Sequence, residues 1–145
     1  MRKLKGNYDG FTLVEVLASI VIISIILLGV VQLMNFTNKT AITNNVKLVT
    51  THLAKATIER MKIQSEDYFL PEQINGEPIT KENCQITSCK NLYRLTINDE
   101  SYDVIVIVSQ NSEEVELQLI NVIVTVKHSN KNIKSTVEGY VIDEV

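Results

Sequence analysis

The chain has 145 residues, a net charge of −3 and 45% hydrophobic content, enough for one modest folded domain. Without residues 1–10, which hold Arg2, Lys3, Lys5 and Asp9, 11 basic against 16 acidic residues leave −5. So acidic a body carries no electrostatic footprint for nucleic acid by itself.

Residues 1–10 (MRKLKGNYDG) form a basic leader, and Gly10 to Met34 (GFTLVEVLASIVIISIILLGVVQLM) follows as one apolar run. No charged side chain occurs from Val16 to Asn38. As a helix, Phe11–Met34 measures roughly 36 Å at about 1.5 Å per residue, enough to cross a hydrocarbon core of about 30 Å. Lysines and arginine on its N-terminal side predict a cytoplasmic N-terminus and an exported C-terminal part. The run exceeds a signal-peptide core of about 7–15 residues and no small-residue cleavage pattern follows it, so the segment is expected to stay in the mature protein.

Glu15 stands out, because a carboxylate in lipid costs about 2.5–3.5 kcal/mol even on the lenient insertion scale. Thr12-Leu13-Val14-Glu15 fits the capping box S/T-x-x-E, with Phe11 and Val16 as a candidate hydrophobic staple, and a negative charge suits a helix N-terminus. Gly10 offers backbone freedom and close approach.

The combination of basic leader, Gly10-Phe11-Thr12-Leu13-Val14-Glu15 and a long apolar helix resembles the N-terminal signal of type IV pilins and of the pseudopilins of type II secretion and competence systems. The run LVEVLASIVIISIILLGVVQ is most similar to PilV-type and I-type minor subunits. The resemblance covers about the first 35 residues. It implies cleavage by a prepilin peptidase between Gly10 and Phe11, N-methylation of Phe11, and an assembly role for Glu15, which would neutralise the terminal amine of a neighbouring subunit. It also implies other pilins or pseudopilins as partners, together with an assembly ATPase and a platform protein that extract subunits from the cytoplasmic membrane into a cell-surface filament. No cofactor is implied. The rival reading is a single-span anchored adhesion or binding module that does not polymerise.

Beyond Met34, Asn35–Asn45 is polar, and then Ile42, Val46, Val49, Leu53 and Ala56 recur at spacings of four and three, one face of an amphipathic helix. A single helix is predicted to about Gln64, with residues 11–34 in the membrane or filament core and 35–64 continuing over a sheet. Gly29 is its only weak point, serving as a close helix contact or a hinge. Residues 65–91 contain Pro71, Gly76 and Pro78 and read as a long loop. In an exported domain Cys84 and Cys89 are expected to pair, the alternative being two unpaired thiols; with His52 and His128 far away in sequence they give no metal-ligand spacing.

Residues 92–145 are strand-like. Leu92–Asn98 and Tyr102–Gln110 flank a turn at Asp99-Glu100-Ser101. Val115–Leu119 alternates but Val122, Val124 and Val126 continue in the opposite phase, so a bulge near Ile120-Asn121 is predicted. A turn at Ser129–Asn132 leads into a last strand, Ile133–Ile142. The expected fold is α+β: a long N-terminal helix packed on an antiparallel meander of about four strands.

No phosphate loop, H-E-x-x-H or compact Ser/His/Asp grouping is present, which leaves no motif for an enzyme. Glu113, Glu114 and Glu116 read as a solvated rim. Lys127, Lys131 and Lys134 cluster around the last turn; competence pilins contact DNA, but a charged turn by itself is a soluble surface.

Overall fold

The computed structural model describes residues 10–86 and 89–143, the side chains of Cys89 and Lys90 excepted. The leader therefore lies outside the described residues apart from Gly10. The chain divides into two units, residues 1–41 and 42–145. Helix α1, Leu13–Met61, contributes to both.

In the first unit α1 is apolar and fully solvent-accessible, with none of its most hydrophobic window buried. Four of its hydroxyl side chains are satisfied locally: those of Ser19, Ser24, Thr37 and Thr40 each donate to the carbonyl four residues back, at 2.7–3.0 Å. An apolar surrounding offers no competing partner, so this back-bonding is what allows hydroxyls there. The helix is uninterrupted at Gly29.

In the second unit α1 continues to Met61, one turn short of the expected end, and packs on a five-stranded antiparallel sheet. The strands are β1 (Pro78–Ile79), β2 (Arg94–Ile97), β3 (Glu100–Ser109), β4 (Leu119–His128) and β5 (Lys134–Ile142). Both β1 and β2 pair with the same edge of β3, followed by β4 and β5 in order. Short helices α2 (Cys89–Leu92) and α3 (Ser112–Glu116) precede β2 and β4.

The core forms where period-2 and period-3.6 patterns meet. Val104, Val106 and Val108 of β3, Val122, Val124 and Val126 of β4 and Val141 of β5 are at most 2% exposed, clustered with Val46, Ala54, Ile58 and Met61 of α1. The helix lies close to β5. A methyl group at Gly139 would meet Ile58 Cγ2 at 3.0 Å, so the missing side chain of Gly139 makes room for the helix. Thr50 Oγ1 and Ser135 Oγ are 2.7 Å apart, and Thr51 Oγ1 donates to Ser135 Oγ at 2.9 Å.

Several expectations need correction. Of the expected face of α1, Val46 is buried and Val49 and Leu53 are half-buried against the core, whereas Ile42 and Ala56 are exposed; the fully buried positions are Val46, Thr50, Ala54, Thr57, Ile58 and Met61. The apolar periodicity missed part of this face because two of its members are threonines, whose hydroxyls donate to Lys47 O and Leu53 O and so can be buried without loss.

The sheet has five strands rather than four, because Pro78–Ile79, within the expected loop, pairs with Ile107 and Val106. That loop also supplies Tyr68 and Phe69 to the core, and Tyr93 Oη donates to Tyr68 O at 2.6 Å beneath the surface. The β2–β3 turn is Asn98-Asp99, two residues at φ 50° and 63°, with Ile97 paired to Glu100. This is the type I′ geometry that matches strand twist, and asparagine and aspartate tolerate it.

Val115–Leu117 is not strand. Asn111 caps α3 by accepting from Glu114 N at 2.8 Å while the Glu114 carboxylate accepts from Asn111 N at 2.7 Å. Gln118 at φ 53° then turns the chain into β4, so the change of phase is absorbed by a helix and a left-handed residue, with no bulge in the β4 register. Asn-x-x-Glu is a capping box readable in the sequence.

Candidate functional site

The N-terminal site is built on the first turn of α1. Gly10 and Phe11 precede the helix in irregular, accessible chain: Phe11 is 88% exposed and a side chain at Gly10 would meet nothing within 4 Å. Phe11 is too exposed for a staple with Val16 to bury it.

Thr12 is the N-cap. Its backbone N–H and its hydroxyl both donate to Glu15 Oε2 at 2.9 Å, and Glu15 N donates back to Thr12 Oγ1 at 3.3 Å. The capping box expected from Thr12-x-x-Glu15 is therefore formed. Because both donors converge on Oε2, Oε1 has no partner among the described residues. The carboxylate is fixed in rotamer and place, with one oxygen free to receive a cation.

The two cysteines differ in what can be said of them. Cys84 is disulfide-bonded; the side chain of Cys89, the other cysteine of the sequence, lies outside the described residues. Among the described residues no group of three or more metal-ligating side chains comes together.

At the last turn the lysines separate. Lys131 Nζ bonds Glu100 Oε1 at 2.8 Å, holding that carboxyl below its ordinary value, while Lys127 and Lys134 are exposed cross-strand neighbours. His128, which the sequence did not single out, anchors this turn. Its ring is fully buried against Tyr102, with centroids 5.1 Å apart, and Nδ1 accepts from Asn130 N and Lys131 N at 3.0 and 3.1 Å. The proton therefore sits on Nε2, 3.0 Å from Glu100 Oε2, a close electrostatic contact whose direction falls short of a hydrogen bond. Of Glu113, Glu114 and Glu116, Glu114 is a helix cap and the other two carboxylates are solvated.

These features define a class: an α+β protein whose long N-terminal helix is apolar enough to cross a membrane. The prokaryotic N-terminal methylation motif matches residues 5–31, so the N-terminal segment carries the type IV pilin/pseudopilin signal. No curated protein and no solved structure gives a significant match to the chain.

Proposed function

We propose that the chain is a structural subunit, a minor pilin or pseudopilin, of a type IV pilus, type II secretion or competence filament. The observation that carries this reading is the methylation motif over residues 5–31, which includes Gly10-Phe11 and the Thr12–Glu15 cap. A prepilin peptidase cuts between Gly10 and Phe11 and the new amine of Phe11 is methylated. The chain is then held in the cytoplasmic membrane by α1, N-terminus inward. Extraction by an assembly ATPase and platform protein moves α1 from lipid into a bundle of neighbouring helices. There the free oxygen of Glu15 neutralises the terminal amine of another subunit, which offsets two charges that lipid would penalise separately. Cys84 pairs with Cys89 and closes a short loop on the exported side.

Mass spectrometry of the chain expressed with and without a prepilin peptidase tests this. Loss of residues 1–10 and one added methyl on Phe11, only when the peptidase is present, is the expected result. An intact leader in both samples would overturn the reading in favour of a simple anchored binding module.

A further inference from the structure

The two edges of the sheet are finished differently. At one edge β3 is covered by two short strands, β1 of 2 residues and β2 of 4. The other edge is β5, 9 residues long, paired to β4 in unbroken register and free of proline. Short strands, prolines, bulges and lysines are the usual protection of a sheet edge. Of these β5 has only Lys134, at its first position.

The ladder shows which groups β5 leaves over. His128 N donates to Ile133 O at 3.0 Å and Asp143 N to Gln118 O at 2.8 Å, one at each end of the β4–β5 register. In an antiparallel pair such bonds fall on alternate residues, so Ser135, Val137, Gly139 and Val141 bond β4. The N–H and C=O groups of Lys134, Thr136, Glu138, Tyr140 and Ile142 point away from β4, and nothing among the described residues pairs with them.

Helix α1 does not close over this edge. Val137 and Gly139 lie on the helix-facing side of the sheet yet are half-buried, whereas Val124 and Val122, opposite them on β4, are 0% exposed. Alongside runs a groove of about 330 Å3 lined by Ile58, Val137 and Gly139 together with Lys55, Lys62, Glu59 and Glu138. Two lysines against two glutamates favour neither sign of charge, so selection falls to the main chain and to apolar packing. Because Gly139 has no side chain, the place across the edge from it is open to a large one, and an aromatic residue opposite an edge glycine covers its backbone.

We propose that β5 is a strand-addition site for an extended segment of a different protein, which pairs with the free edge and lays an aromatic or large aliphatic side chain across Gly139 into the groove beside Ile58. Only another polypeptide in extended conformation offers donors and acceptors at the alternate-residue period of this edge. A second copy of β5 is a poor occupant, since antiparallel pairing over the whole strand sets Glu138 opposite Glu138. The inference concerns residues 42–145 alone and stands whether or not the leader is removed.

The test is amide hydrogen exchange, read by NMR on the full-length chain in detergent micelles, with the peptide Thr-Val-Thr-Phe-Thr-Val-Thr as probe. It is made in two forms. One is N-methylated on the phenylalanine, whose amide would face away from β5, and the other on the threonines flanking it, whose amides would face β5. Without peptide, the amides of Thr136, Glu138 and Tyr140 should exchange fast and those of Val137 and Gly139 slowly. The first form should slow Thr136, Glu138 and Tyr140 by about tenfold or more, and the second should leave them unchanged. A first-form peptide with glycine in place of phenylalanine, methylated at the same place, should bind more weakly. No slowing by the first form, or equal slowing by both, overturns the inference, and equal binding of the glycine peptide overturns the part given to the groove. Slowing that appears without peptide and grows with protein concentration would assign the edge to a second copy and overturn it as well.

Discussion

At the scale of single residues, Glu15 combines a structural and a proposed electrostatic role that can be separated. Glu15→Gln keeps an oxygen to accept from Thr12 N and Oγ1 and so preserves the cap, but removes the charge; Glu15→Ala removes both. Membrane insertion is expected to survive in both variants, since each makes the segment more apolar. Incorporation into sheared filaments, read by immunoblot, should fall at least tenfold in both. Normal incorporation of the glutamine variant would mean that the cap alone is what matters.

Tyr93 is a residue of the opposite kind, wholly structural. Its hydroxyl is buried with Tyr68 O as its partner, and burial pushes its ionisation up. Tyr93→Phe leaves a buried carbonyl without its donor, which costs about 1–3 kcal/mol and should appear as a lowered midpoint in chemical denaturation.

Glu100 links the residue scale to pH. Lys131 first, with His128 adding to it, holds the Glu100 carboxyl below its ordinary 4.5. A carboxylate so depressed contributes stability above its unfolded value and loses it as pH falls through the folded value. The turn at Ser129–Asn132 should therefore loosen only below about pH 4.5. Lys131→Met should shift the Glu100 carboxyl titration upward in an NMR pH series, toward its ordinary value, and an unmoved titration would remove Lys131 as the cause.

At the scale of elements, the contact between α1 and β5 decides the fold of the second unit. Gly139→Val places branched carbons where Ile58 already stands, an overpacking that costs about 1–3 kcal/mol, and Ile58→Ala in the same chain should recover part of it. Additive losses in the double mutant, measured by thermal melts, would show that the two positions do not share this space.

The same contact shows what sequence can and cannot reveal. The long helix, β3 and β5 are legible because their patterns follow from burial: an apolar span, then Val104, Val106 and Val108 alternating on one face. The rotation of α1 on the sheet is not legible, since Thr50 and Thr57 count as polar in any periodicity and reach the core only because their hydroxyls bond the helix itself and Ser135. Strand β1 is two residues long, too short for a pattern, and exists only because β3 offers it an edge. At the N-terminal site Gly10, Phe11 and Glu15 are legible as a local motif, and the cap geometry follows from spacing alone.

At the scale of the whole molecule, the second half of α1 serves as one layer of the residue 42–145 unit, while residues 13–41 bury nothing of their own. A chain beginning at Ile42 retains Val46, Thr50, Ala54, Ile58 and Met61 against the sheet and should be soluble, monomeric at micromolar concentration and cooperative in its melting. A chain beginning at Lys62 loses that layer. Burying a Val, Ile or Met side chain contributes about 1.5–3 kcal/mol, and small domains have only about 5–15 kcal/mol in total, so losing Val46, Ile58 and Met61 from the core removes much of the stability. The inner valines of β3 and β4 would then face water as β-branched rows, which favours aggregation over a folded sheet. Circular dichroism and light scattering on the two truncated chains distinguish these outcomes. A folded, soluble chain beginning at Lys62 would show that the sheet stands without its helix.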